Sequence, residues 1–496
     1  MHDGRTNYIH DEWKAAQSGQ TFESLNPARI DEVLGSYARS QREDIEAAVA
    51  AAAKAYPSWR RVPAPKRGAI LFRMGQLLER DKEKLARQMV AEMGKVLVEA
   101  RGDVQEAIDM AFYIAAFGRL PNGSVVPSER EDIHCMAQRV PVGVVGLITP
   151  WNFPIAIPSW KMFPALLAGN TIVFKPAEDT PGLAVAFVEL LIEAGIPAGV
   201  VNIVTGFGPE AGAALVESPG VATLSFTGST DVGRKIAGRC GELMKRVSCE
   251  LGGKNAIVVL DDANIELALK GALWSAFGTA GQRCTAASRL IVQRSVLTKF
   301  RDELVDRTNA LRMGAGADPE AQIGPVVNRK QLQRIHSYVE IGKAEGAKPL
   351  TGGRILDEAD FAAGCFYAPT VLGDVTLGMR VAQEEIFGPV TGLIAVDSLE
   401  EALAAANNSR YGLSLSLYTH DVNRAFRAIQ ELEAGIVYIN LPTSGAEIQL
   451  PFGGVKQTGN GHREAGWMAM DYCTEWKSVY INYADTAELV RAQIDT

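Results

Sequence analysis

The chain has 496 residues, about three times an ordinary domain, so two or three domains sharing a large core are expected. Hydrophobic residues make up 47% and charged residues 22%, the balance of a soluble globular protein, and a net charge of −8 argues against a nucleic-acid partner. No apolar run approaches the ~18 residues of a membrane span, and the six cysteines (135, 240, 249, 284, 365 and 473) form neither a CxxC pair nor a zinc spacing, so no membrane and no metal site are expected.

The first segment, Met1 to Trp13, is polar and lacks the apolar stretch of a secretory signal. A cytoplasmic location fits that start and the unpaired cysteines. Ser40 and Glu43 form an S-x-x-E capping box before an Ala-rich helix from Ile45 to Tyr56, which Pro57 should end. A second amphipathic helix follows Pro65. Pro121 to Arg139 is polar and loop-rich, as an extended hairpin between two halves of one domain would be. Val142 to Ile148 reads as a buried strand, and Thr171 to Phe174 as the next. Thr180 and Pro181 open a helix as N-cap and first residue, and Gly195 closes it. Val200 to Val204 is another strand, and Val232 to Met244 another helix. Strands and helices alternating in this way specify right-handed βαβ units and a parallel sheet. A second α/β region runs from Leu251 to about Phe452. The tail from Tyr472 to Tyr483 alternates as an edge strand does, and such an edge invites pairing with another subunit.

Several short segments carry chemistry. Cys284 lies in Gly281-Gln282-Arg283-Cys284-Thr285. A free cysteine is ordinarily a buried, inert one, and that reading suits Cys135, Cys240, Cys365 and Cys473. Cys284 differs because the adjacent Arg283 should lower its pKa and favour the reactive thiolate. Glu250 stands at a strand end before Leu251-Gly252-Gly253, where the glycines admit a close ligand or backbone. Alternation points its neighbour Cys249 into the core. Asn152, in Pro150-Trp151-Asn152-Phe153-Pro154, is either an Asx-turn residue or an oxyanion donor at the carboxyl end of a strand. Lys175 and Glu178 follow the strand at Phe174, where α/β folds place ribose hydroxyls, and a carboxylate there disfavours a 2′-phosphate. Gly206-Phe207-Gly208 is a weak signal, a turn on its own terms. Phe226-Thr227-Gly228-Ser229-Thr230 is stronger, because the helix that follows can offer its N-terminus to a pyrophosphate. Glu385 and Phe387, in Glu384-Glu385-Ile386-Phe387-Gly388-Pro389, read in isolation as a charged turn.

Taken together, PWNFP, KPAE, GFGP, FTGST, ELGGK, GQRCT and EEIFGP occur in the order and spacing of the NAD(P)-dependent aldehyde dehydrogenase superfamily, which the chain resembles over nearly its whole length. The resemblance implies an α/β fold with a Rossmann-like cofactor domain (1–119 and 141–252), an α/β catalytic domain (253–452) and a small β oligomerisation element (120–140 and 453–496). It implies Cys284 as nucleophile, Glu250 as general base, Asn152 with the Cys284 backbone N–H as oxyanion hole, and Lys161 and Trp151 lining the cofactor cleft. Lys175 and Glu178 would hold the adenosine ribose, Gly208, Gly228 and Ser229 the pyrophosphate side, and Glu385 and Phe387 the nicotinamide end. The implied cofactor is NAD, with NADP possible, and the implied assembly a homodimer or homotetramer. Glu250 argues for hydrolysis of a thioester rather than its transfer to coenzyme A.

Asn440 to Ile448, with its Ser444-Gly445-Ala446 core, resembles the antiquitin-like branch, as do Glu92-Met93-Gly94-Lys95 and Val126-Pro127-Ser128-Glu129-Arg130. That branch implies a semialdehyde whose carboxylate meets the Ser444, Gly445 and Ala446 backbone, with Arg283 and Glu106 at its polar end. PWNFP, ELGGK and Gln449 to Gly454 are closer to general and keto-acid semialdehyde enzymes. The expectation is therefore oxidation of a carboxylate-bearing semialdehyde. The alternatives are a broad-range aldehyde dehydrogenase and a non-catalytic, crystallin-like protein of the same fold.

Overall fold

The computed structural model describes residues 3–484, so positions 1–2 and 485–496 of the expected terminal segments lie outside it. Two seven-stranded sheets carry the chain. In the first, Arg246–Glu250, Thr223–Thr227, Val144–Ile148, Thr171–Lys175 and Val201–Ile203 lie side by side and parallel. Asn7–Ile9 and Glu12–Lys14 extend that sheet antiparallel. Val144–Ile148 and Thr171–Lys175 are buried at every position, as strands covered by helices on both faces must be. The second sheet runs Lys348–Thr351, Thr370–Gly373, Val390–Val396, Ala287–Gln293, Asn255–Val259, Ser414–Tyr418 and Ile436–Ile439, parallel except at its first strand. Both sheets are thus of the α/β kind the alternating pattern specifies. No helix among the described residues is long and apolar enough to cross a membrane.

The segment 121–139 forms the expected hairpin, Gly123–Val126 against Ile133–Pro141. The C-terminal strand Thr474–Asn482 pairs antiparallel with its longer arm, from Thr474 opposite Pro141 to Asn482 opposite Ile133. This three-stranded sheet leaves Trp476 and Tyr480 exposed.

Several local expectations are corrected. The first long helix spans Arg42–Trp59 and is capped one residue later than expected, by Gln41, whose N–H donates to the Asp44 carboxylate at 3.0 Å. Ser40 faces inward instead, accepting from the Asn7 amide at 2.7 Å. Pro57 does not end this helix: it lies in the last turn, where burial of Trp59 outweighs one lost amide. The helix Thr230–Glu242 starts two residues before Val232 and stops short of Met244, whose φ of +53° leaves the helical region. Thr180 does hold the cap position of Pro181–Ala194, but its side chain makes no cap bond. The buried Glu92 takes over, accepting from the Gly182 and Leu183 N–H groups at 2.9 Å each.

Burial pushes the Glu92 carboxyl up to about 7, against the pull of its two backbone donors. A raised acid binds its proton more tightly folded than unfolded. Its cost to stability is therefore absent below the ordinary value of 4.5 and complete above about 7. Glu92→Gln should flatten the fall of the apparent melting temperature across that window, and Glu92→Ala should lower stability by about 1–2 kcal/mol throughout. Calorimetric scans at a series of pH values check both.

Candidate active site

The loop that carries Cys284 begins where a helix stops. Ile265–Phe277, capped by Asn264, runs into Gly278, after which Thr279, Ala280 and Gly281 take φ of +53°, +52° and +67°. Two consecutive non-glycine residues in this region cost about 1–2 kcal/mol each. Gly281 is required by contact as well, since a Cβ there would lie 2.1 Å from the Gly388 carbonyl oxygen. Glu99, on the helix Leu97–Phe117, holds the turn: both its oxygens accept from the Thr279 N–H, at 2.9 and 3.0 Å, and one from the Thr279 hydroxyl at 3.2 Å. Beyond the turn, Asn255 donates to the Cys284 carbonyl at 2.7 Å. Cys284 is the one cysteine of the six that is not fully buried.

Arg283 does not serve the sulfur as its adjacency in sequence led us to expect. Its guanidinium turns to Glu99 at 3.1 Å and the Thr279 hydroxyl at 2.9 Å, and lies over the Trp274 ring at 4.4 Å. The Cys284 thiol is pushed up, first by burial and then by Glu385 and Glu250.

Glu250 ends its strand 3% exposed, and neither of its oxygens has a hydrogen-bond partner among the described residues. Burial and the nearby Glu464 hold its pKa well above the carboxylate range, while Lys161 and Arg463 pull the other way. Lys161 is fully buried, not a surface helix residue, and donates to Ser225 at 2.8 Å and to Glu464. Glu464 carries no motif of its own. A pair of backbone bonds with Phe452, at 2.6 and 2.7 Å, brings it beside the strand end from more than 200 residues away. Cys249 points into the core, 1% exposed.

Asn152 is buried and donates one amide hydrogen to the Gln282 carbonyl at 3.1 Å, which ties it to the loop that carries Cys284 and leaves its second hydrogen for another acceptor. A cavity of about 270 Å³ opens on Cys284, Glu250 and Glu464, with Trp160, Trp274 and Phe452 in its walls. Arg283, Glu106, Ser444, Gly445 and Ala446 line the same cavity. The Ser444 and Thr285 hydroxyls are 3.0 Å apart, and Gly445 has φ of +116°. Among the described residues the backbone N–H groups of Ser444, Gly445 and Ala446 donate no hydrogen bond. Burial and Asp103 push the Glu106 carboxyl up to about 8.

A second group of residues follows the carboxyl ends of the first sheet. Ile148 pairs with Lys175, Phe226 with Ile148, and Thr227 with Glu250, so the segments after these strands form one row. Parallel α/β sheets bind their ligands along that edge. Lys175 and Glu178 form an ion pair at 3.0 Å. Gly228 and Ser229 precede the helix Thr230–Glu242, with Ser229 in the cap position. Among the described residues the Thr227 hydroxyl at the same strand end has no hydrogen-bond partner, and a Cβ added at Gly208 would meet nothing within 4 Å. At the other end of the row Trp151 meets Phe387 edge-on at 5.4 Å, and Glu385 accepts from the Gly253 N–H at 2.9 Å. Open space, an unpaired hydroxyl and a helix N-terminus in one row suit a dinucleotide, with its pyrophosphate at the helix. Among the described residues no group of three or more His, Cys, Asp or Glu side chains is placed to hold a metal ion.

In the native protein Cys284 should be alkylated by iodoacetamide before the five buried cysteines, as peptide mapping of the labelled protein will read. Because the Glu385 charge raises the thiol, Glu385→Gln should move the pH–rate curve of alkylation to lower pH by roughly half a unit or more.

The family model "Aldehyde dehydrogenase family" matches residues 13–479. An alpha-ketoglutaric semialdehyde dehydrogenase of Bacillus subtilis is 42% identical over 475 residues, covering 96% of this chain and 97% of the relative. An alpha-ketoglutarate semialdehyde dehydrogenase of Haloferax volcanii is 43% identical over 484 residues, covering 97% of this chain and all of the relative (100%). Among solved structures, a betaine aldehyde dehydrogenase from Staphylococcus aureus in complex with NAD+ superposes with a TM-score of 0.95 at 34% identity, covering 98% of this chain and 96% of that one. With its thiol, its buried carboxylate and its fold set out above, the chain belongs to the aldehyde dehydrogenase family.

Proposed function

We propose that this enzyme uses NAD to oxidise a short, carboxylate-bearing semialdehyde, of the keto-acid kind named for two relatives, to the corresponding diacid. The observation that carries this reading is the single cavity that joins the Cys284 thiol to the three unbonded amides of Ser444, Gly445 and Ala446. Backbone N–H groups in a turn suit a carboxylate, and they need no cation whose charge must be buried. Arg283 still has N–H groups to offer after its bonds to Glu99 and Thr279, and Glu106, holding a proton at neutral pH, can donate to the same polar end.

The residues divide the work as follows. Cys284 first releases its proton to solvent through the cavity and then attacks the aldehyde carbon as thiolate, forming a C–S bond and an alkoxide. The free Asn152 amide hydrogen and the Cys284 backbone N–H stabilise that alkoxide. A bound nicotinamide supplies the acceptor for the hydride, and its loss leaves a thioester on Cys284. Glu250 then takes a proton from water, which attacks the thioester and expels the thiolate. The buried Lys161–Glu464 pair sets the charge that Glu250 faces. Lys175 and Glu178 hold the adenosine ribose, and Glu178 disfavours the 2′-phosphate of NADP. Gly208, Gly228 and Ser229 flank the pyrophosphate, and Trp151, Glu385 and Phe387 hold the nicotinamide end.

The same reading assigns 1–119 and 141–252 to a cofactor domain, 253–452 to a catalytic domain, and 120–140 with 453–496 to oligomerisation. The exposed Trp476 and Tyr480 on the C-terminal strand support a homodimer or homotetramer.

The test measures NADH formation from a panel in which each ω-carboxylated semialdehyde is paired with a neutral aldehyde of equal length. The acids should win by at least tenfold in kcat/KM, and Arg283→Ala should erode that margin while Cys284 still alkylates. Equal turnover of the neutral aldehydes would overturn the semialdehyde reading and leave a broad-range dehydrogenase. Glu250→Gln should release one NADH per site in a burst and then stall by about 10²-fold or more. Glu464→Gln removes a charge that raises Glu250, so the acid limb of kcat, which the base sets, should move to lower pH.

A further inference from the structure

One helix of the second half touches both ends of the row just described. Arg329–Ala344 is capped by Asn328, whose side-chain oxygen accepts from the Gln331 N–H at 2.8 Å. The other side of the same amide donates to the Asp179 carboxylate at 2.8 Å. Asp179 directly follows Glu178, the residue assigned to the adenosine ribose. One turn into the helix, the Gln331 amide donates to the carbonyls of Ile386 and Phe387, at 3.1 and 2.8 Å. Arg334 donates to the Glu385 carbonyl at 2.8 Å. The helix start therefore grips the ribose end of the first sheet with one residue and the nicotinamide-end loop with two others. Phe387 needs such a hold, since its φ of +60° is a strained value for an aromatic residue.

We propose that Asn328 is a positioning residue for the cofactor: its bond to Asp179 fixes the distance between the two ends of the dinucleotide groove. The inference rests on the cofactor placement proposed above. It assigns to Asn328 no contact with the ligand. A fragment that fills only the adenosine end does not feel that distance, whereas the whole dinucleotide does.

Alanine at 328 would remove the helix cap together with the cross-bond, so the informative variant is Asn328→Asp. An aspartate caps as well as an asparagine does. It cannot donate to Asp179, and it sets two carboxylates against each other. Combining it with Asp179→Asn restores a donor and an acceptor in swapped positions. Dissociation constants for AMP, by calorimetry, and for NADH, by fluorescence, are measured at mildly alkaline pH on the folded enzyme. Asn328→Asp should weaken NADH by about tenfold and leave AMP within about twofold, and the double variant should recover most of the loss. NADH binding unchanged in Asn328→Asp, or weakened equally for AMP, overturns the inference, and so does a double variant no better than the single. Lys175→Ala and Glu178→Ala serve as controls. If they leave both AMP and NADH binding intact, the cofactor placement itself fails, whatever Asn328 does.

Discussion

The hold of Glu99 on the left-handed turn at Thr279–Gly281 is the contact on which the site turns. Without it two non-glycine residues in an unfavourable conformation would relax, and Cys284 would no longer sit where the cavity, Asn152 and the strand end carrying Glu250 converge. The carboxylate gives the turn three hydrogen bonds and takes a fourth from Arg283. A buried, charge-assisted set of this kind is strong enough to offset the local strain. It also explains why Gly281 and Gly388 meet almost backbone to backbone: the turn is pressed against the loop that carries Phe387.

Charge is handled unevenly across the interior. Lys95 is paired with Asp103, Lys161 with Glu464 and Arg283 with Glu99, all of them buried. Such pairs contribute little net stability, because desolvation consumes most of the Coulomb gain. Their value is in fixing positions, while Glu250 has no hydrogen bond among the described residues. In the role of base proposed for it, Glu250 needs its lone pairs free, and burial beside Glu464 raises its affinity for a proton. Burial raises the thiol as well, with Glu385 and Glu250 adding to it.

Much of this was legible in the sequence because it is local. A cysteine after a glycine turn, a glutamate before two glycines and a lysine–glutamate pair after a strand are read from a few neighbouring letters, and the strands that carry them were recognised by their apolar runs. What escaped depends on distance or on direction. Glu464 meets Lys161 across 303 positions and Glu99 meets Thr279 across 180, and neither stands in a distinctive pattern. Arg283 lines the cavity but turns to Glu99 instead of the sulfur, since adjacency on an irregular loop does not fix where a long side chain goes. The helix start near residue 41 moved by one position because Asn7 and Thr205, far apart in sequence, claim Ser40 for the interior. Thr180 lost its capping bond because Glu92 reaches the same amides first.

The pairing of Thr474–Asn482 with Ile133–Pro141 has a consequence for how the protein is made. The last strand does not merely finish a small sheet. Its lead-in anchors the first half: Tyr472 donates to the Lys161 carbonyl, Asn170 to that of Cys473 and Arg246 to that of Thr474, while Glu464 arrives on the same stretch. During synthesis the residues from 464 to 474 must therefore emerge before the sheet that begins near residue 144 gains these contacts and Lys161 its counter-ion. A nascent chain stalled before that point lacks the carboxylate that pairs with Lys161, and the lysine keeps only its bond to Ser225.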